Sequence, residues 1–186
     1  MKKIIWIIIL IIIALSMDIV LAQSLEETLQ EGKDFWNNAE YSEAIERFDR
    51  VAKESNDDNI IAEAYLWLGK TYYYKWDFEK AIDSFQVIID SFSSNNLMPE
   101  AYMWKGTAYF YISNNYEEAI KSYQLLIKEY MKSEYAVVAQ YKIGLCYENL
   151  GNNEEAQNAY NKLILLFPEE EKWIKQAEFR LELINK

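Results

Sequence analysis

The side chains able to do chemistry in this 186-residue sequence are few in kind. Paired carboxylates stand at Glu117-Glu118 and Glu154-Glu155, Glu43 and Glu79 hold comparable places, and an acidic run covers Glu169-Glu170-Glu171. Two carboxyl groups close together could divide general acid and general base roles between them. The single thiol, Cys146, would be a nucleophile only if a neighbouring cation or base held it as thiolate. Neither set has the helpers its chemistry needs. There is no histidine, which removes the most frequent general base, the most frequent metal ligand and every histidine-dependent triad. No base or cationic pattern around Cys146 supports activation, so it reads as a small buried hydrophobe. One cysteine also excludes an intramolecular disulfide, a zinc ribbon and a CxxC redox centre. The acidic run lacks the alternating ligands and central glycine of a calcium loop. The carboxylates fall near helix starts, where they complement the helix dipole, on what would be the outer surface. No enzyme, cofactor or metal site is expected.

Composition narrows the class further. Hydrophobic residues make up 51% and charged residues 26%, a globular mixture. Only 5 glycines and 2 prolines leave little material for tight turns, which favours helices over an all-β fold. The net charge of −11 argues against nucleic acid as a partner, because the chain would repel the phosphates.

The first 22 residues form a separate unit. Met1-Lys2-Lys3 is a basic start, Ile4 to Leu15 is an unbroken apolar run, and Val20-Leu21-Ala22 resembles a cleavage site before Gln23. The expectation is a cleavable signal peptide over 1–22, with export to the periplasm or cell envelope. The alternative is a retained membrane anchor over 4–21 with the remainder outside, since ~20 apolar residues span a bilayer. Residues 23–186 form the domain.

That domain is one pattern written four times. Gly32, Gly69, Gly106 and Gly144 are spaced by 37, 37 and 38 residues. Three residues after each stands Phe35, Tyr72, Tyr109 or Tyr147. Ala44, Ala81, Ala119 and Ala156 follow, each with Phe48, Phe85, Tyr123 or Tyr160 four residues later. Ala64, Ala101 and Ala139 precede the last three glycines by five. A small residue lets two helix axes approach, and an aromatic ring fills the wedge beside that contact. Turn signals at Asn37-Asn38, Trp76-Asp77, Asn114-Asn115 and Gly151-Asn152 separate the helical runs. Each unit is therefore helix, tight turn, helix. A single hairpin cannot bury its apolar stripe, whereas stacked hairpins can, which makes a solenoid. A fifth first helix repeats Ala139, Tyr141 and Ile143 as Ala177, Phe179 and Leu181, but carries Glu182 in place of the glycine, as a solvent-facing cap would.

These positions resemble the tetratricopeptide repeat family. Leu68-Gly69 with Tyr72, and Ile143-Gly144 with Tyr147, match its first helix. Ala81 with Phe85, and Ala156 with Tyr160 then Pro168, match its second. The resemblance implies an all-α, right-handed superhelical solenoid of about four hairpins plus a capping helix. Repeats of 37–38 rather than 34 residues are expected to lengthen the inter-repeat loops, and resemble those of bacterial envelope proteins that serve in outer-membrane assembly or division.

In that family the first helices line the concave face. Helical periodicity places residues three before each glycine, and one, four and five after it, on that side. The expected partner-binding groove is Leu29, Lys33 and Trp36; Leu66, Lys70, Tyr73 and Tyr74; Met103, Phe110 and Tyr111; and Tyr141. Trp36, Tyr74 and Tyr111, at the helix ends, are expected to be exposed, and the two lysines to form a positive strip. Tyr73, Phe110 and Tyr141 either line the groove or pack between helices. The family's carboxylate clamp does not carry over, because Leu29 and Lys33 occupy the relevant turn. The function expected is a non-enzymatic scaffold binding a peptide or helix. The alternative is a glycan-binding module whose rings stack on cell-wall fragments.

Overall fold

Apolar positions recurring every three or four residues, interrupted by short polar turns, build this chain from helices. The computed structural model describes residues 2–93, 95–112 and 115–186, with side chains throughout except at 2–5, 8–9, 11–16 and 18–19. Among the described residues the elements are α1 (Lys2–Asn37), α2 (Tyr41–Glu54), α3 (Asp58–Tyr74), α4 (Phe78–Ser91), α5 (Met98–Tyr111), α6 (Tyr116–Tyr130), α7 (Tyr135–Asn149), α8 (Asn153–Leu166) and α9 (Glu171–Ile184). The backbone of 2–22 continues α1 without a break. Most side chains of the expected leader, or of the alternative anchor, lie outside the described residues. Among those described, no helix is long and apolar enough to cross a membrane.

The helices pair as α1–α2, α3–α4, α5–α6 and α7–α8, and α9 packs on α7 and α8. Each second helix also meets the next first helix, and first helices touch one another from α1 to α9. Among the described residues no second helix touches another. First helices are therefore closer together than second helices, and the stack curves with the first helices inside.

Glycine and ring are one packing device. A Cβ on Gly32, Gly69, Gly106 or Gly144 would meet the ring of Phe48, Phe85, Tyr123 or Tyr160 at 2.6, 2.4, 2.5 or 2.4 Å. All four rings are fully buried, as are Ala44, Ala81, Ala119 and Ala156 one turn before them. The first-helix backbone thus becomes the floor on which the second-helix ring lies. In α9 the substitute Glu182 is exposed. Phe179 is 58% exposed where its counterparts Leu66 and Met103 are buried against the next hairpin.

The acidic residues behave as end charges. Glu43, Glu79, Glu117, Glu118, Glu154 and Glu155 all occupy the first turn of a second helix. Asp77 caps α4 by accepting from the Lys80 backbone N–H. The extra residues of each repeat are not all loop, as the sequence reading expects. The α4–α5 connection is long, 92–97, but α2 and α3 are joined only by 55–57, and α3 takes up the difference as a 17-residue helix.

Candidate functional site

The inner side of the stack keeps the expected positions one and five after the glycine but differs before it, where the residue two before the glycine replaces the one three before. On α3 it is Glu63, Trp67, Lys70 and Tyr74, four residues at spacings of four and three. Leu29, Leu66 and Met103 are buried and leave the groove list. At three residues before the glycine they point into the core between hairpins, where Leu66 packs with Phe85 of its own hairpin and Ala101 of the next. Tyr141 leaves it too, half-buried between Tyr160 and Trp173 at 5.6 and 5.3 Å.

The lysines form no positive strip. Lys33 Nζ lies 2.7 Å from Glu63 and Lys70 Nζ 2.6 Å from Glu100, each pair bridging consecutive first helices. Lys33 and Lys70 both also sit over the Trp67 ring, at 5.9 and 4.7 Å. This ladder recurs with the repeat and neutralises itself, so it sets the stagger of the stack rather than attracting a partner. The Lys33–Glu63 pair is partly exposed and contributes about 0–1 kcal/mol, whereas Lys70–Glu100 is largely buried, so its attraction is offset by desolvation of both charges.

Rings dominate what remains. Trp36 packs edge-on against Trp67 at 5.2 Å and Tyr74 at 5.4 Å. It is half-buried rather than exposed, and its indole N–H is enclosed without a hydrogen-bond partner. Tyr73 meets Tyr74, Phe78, Trp104 and Tyr111 at 5.3–5.8 Å. Phe110 extends the array to Tyr116 at 5.4 Å. Such contacts add about 0.5–1.5 kcal/mol each beyond area burial and make the face rigid. The array stops after the third repeat. In the fourth, Glu148 stands at the position of Trp36, Tyr73 and Phe110. It accepts hydrogen bonds from Arg180 of α9 and from the Tyr160 hydroxyl, which fastens the last helix to the stack.

Where the array reaches the turn between α3 and α4, it opens. Tyr73, Tyr74, Trp76, Phe78 and Tyr111 line a cavity of about 240 Å³. Tyr74 is 43% exposed, Tyr111 50% and Trp76 75%. Tyr74 and Tyr111 are exposed as expected; Trp76 and Phe78 were missed, because the sequence reading assigned them to a turn and a helix start. The signal was available in the turn itself. Trp76 has φ +63, a left-handed conformation that costs a bulky residue about 1 kcal/mol or more. The equivalent place is Gly151 in the fourth repeat, at φ +75, with the same pair of turn hydrogen bonds: Trp76 N–H to Tyr73 and Asp77 N–H to Tyr72, Gly151 N–H to Glu148 and Asn152 N–H to Tyr147. Ala39 holds the same place in the first repeat at φ +61, with Ala39 N–H bonded to Trp36 and Glu40 N–H to Phe35, so the left-handed residue belongs to the hairpin turn, and the tryptophan there projects its ring into solvent.

Cys146 is fully enclosed between hairpins. Burial pushes its thiol up to about 12, although Lys142, one turn away and unnoticed in the sequence reading, pulls in the other direction. With the folded value raised, thiolate is scarce at every pH below that value. Cys146 is expected not to react with a water-soluble disulfide reagent at pH 8 until the protein is unfolded. Rapid modification of the folded chain would show the interface to be open.

Models of the tetratricopeptide repeat match residues 29–96, 100–133 and 138–170. A search of curated proteins finds no match. Among solved structures the chain is similar to a crystal structure of MamA protein, with 24% identity over 88% of this chain and 87% of that one, TM-score 0.65. It is similar to a second MamA crystal structure, with 29% identity over 83% and 86%, TM-score 0.60. A tetratricopeptide repeat protein from Parabacteroides merdae aligns at 18% identity over 88% of this chain and 60% of that one, TM-score 0.71.

Proposed function

The chain belongs to the tetratricopeptide repeat family, and from that premise we propose that it is a non-catalytic scaffold of the bacterial cell envelope, holding a peptide or helix of a partner protein on its first-helix face. The family's repeats serve protein–protein interaction in general. The observation that carries the reading is the exposed edge of the aromatic array at Tyr74, Trp76 and Tyr111. Rings supported from behind by other rings lose little freedom on binding and supply large contact area, as interface anchors do. Placement in the envelope rests on the basic start, the apolar run and Val20-Leu21-Ala22. Outer-membrane assembly or division is the setting that the lengthened repeats favour.

Capture from envelope extract tests this reading. The chain produced in a bacterial host is expected in the envelope or periplasmic fraction, as a product whose mass corresponds to Gln23 at its start. Full-length material held in the membrane would favour the anchor. A partner protein is expected to be retained by the wild type and lost with Tyr74→Ala and Tyr111→Ala together, at little change in melting temperature. Retention of cell-wall fragments and no protein would replace this reading with the glycan one.

A further inference from the structure

We propose that the cavity at the α3–α4 turn is an aromatic cage for a cation, and that the segment docking there carries an arginine or lysine side chain with further basic residues around it. This rests on the reading of the first-helix face as a docking surface, and specifies the chemistry of its occupant.

Three observations converge. The first is the lining: among the described residues, five aromatic residues and no charged group surround about 240 Å³, with the Trp76 ring as an open lip. Ring faces carry negative charge density and attract cations positioned over them. The second is the use this chain makes of its other rings. Lys33 and Lys70 lie over Trp67, Lys70 over Trp104, Lys80 over Tyr72, Lys105 over Tyr109, Lys142 over Phe110 and Arg47 over Phe35. Among the described residues none of the chain's own cations sits over Tyr73, Tyr74, Trp76, Phe78 or Tyr111. The exposed rings of this cavity are thus ones the protein leaves free of its own cations.

The third observation is charge. The cavity lies on the edge of the solenoid formed by the hairpin turns, and the starts of the second helices fall on the same edge. Glu40, Glu43, Glu79 and Glu117 are exposed there, and none forms an ion pair among the described residues. The neighbouring turns adjoin the cavity: Tyr41 stacks on Tyr74 at 6.2 Å, and Tyr116 packs on Phe110 beside Tyr111. Of the cations of that edge, Lys80 is paired with Asp77 and Lys121 with Glu118, while Lys75, between Tyr74 and Trp76, donates to the Ser42 hydroxyl and keeps its charge against the four carboxylates. An apolar cage on an edge where exposed unpaired carboxylates outnumber unpaired lysines, in a chain of net charge −11, complements a basic segment and repels an acidic one.

The test uses the purified full chain and two probes: a short peptide containing two arginines, and the same peptide with neutral citrulline in their place. The arginine peptide is expected to shift the ring resonances of Trp76, Phe78 and Tyr111, and to bind on the order of tenfold more tightly than the citrulline peptide. Trp76→Gly is expected to weaken arginine-peptide binding on the order of tenfold without lowering the melting temperature, because φ +63 suits glycine. Equal binding of both peptides at these rings would overturn the cation assignment and leave the docking surface standing. Binding that falls with salt but ignores Trp76→Gly would place the peptide on the carboxylates and overturn the cage. Absence of any shift at the rings would overturn it as well. The docking reading itself falls separately, if the partner captured from envelope extract is unaffected by Tyr74→Ala and Tyr111→Ala.

Discussion

Tyr160→Ala is expected to destabilise the protein by about 3–5 kcal/mol, the usual cost of deleting a buried aromatic side chain. The ring is fully buried, covers the backbone of Gly144, and donates its hydroxyl hydrogen to Glu148. Truncation opens a cavity between α7 and α8 and leaves Glu148 held by Arg180 alone. The consequences should be local. In a stack where each hairpin touches only its neighbours, stability is a sum of unit and interface contributions, and an injured unit releases what lies beyond it. Hydrogen exchange is expected to accelerate in α8 and α9 while amides of α1 to α4 keep their protection. Uniform acceleration along the chain would mean that the solenoid unfolds as one unit.

Gly106→Leu should be damaging for the opposite reason. Its Cβ alone would sit 2.5 Å from the Tyr123 ring, and that ring cannot retreat, being fully buried and bonded through its hydroxyl to Thr107 at 3.2 Å. Overpacking of this kind costs about 1–3 kcal/mol, and a branched side chain against a closed ring belongs at the upper end or beyond. A double-mutant cycle identifies the cause. Gly106→Ala combined with Tyr123→Leu should be less destabilised than the sum of the single changes, with a coupling of about 0.5–3 kcal/mol, because the smaller partner admits the added methyl group. Additive losses would show that glycine is needed there for something other than contact with the ring.

The two predictions rest on residues whose role was legible before any coordinates. Gly144 and Tyr160 stand at the same separation as Gly32 and Phe48, Gly106 and Tyr123 are one residue further apart, and a glycine followed by a ring at nearly constant distance in four places has few explanations other than stacked units. The same repetition located Tyr74 and Tyr111 at open helix ends. It failed at Leu29, Leu66 and Met103 for a definite reason. One residue is a 100° rotation on a helix, so a residue three before the glycine faces the core between hairpins, whereas one two before it faces the groove. Trp67 and Trp104 fell on the wrong side of that division.

By itself, the sequence determined the class of fold and the contacts internal to a hairpin. Those depend on short-range periodicity and on small residues paired with large ones, both of which recur and can be checked against their own repeats. It also determined the absence of histidine and the excess of acid that limit the available chemistry. Tertiary structure alone decided which charges remain for a partner. Lys33 and Lys70 look like a basic strip until the offset between hairpins sets Glu63 and Glu100 against them. It also decided that Trp76 and Phe78, read as a turn and a helix start, meet Tyr111 from the following hairpin around an open cavity. A linear pattern records what each helix does within its own turn of chain. How far one hairpin is shifted against the next depends on the summed packing of many side chains, and that shift brings residues some 35 apart into one site.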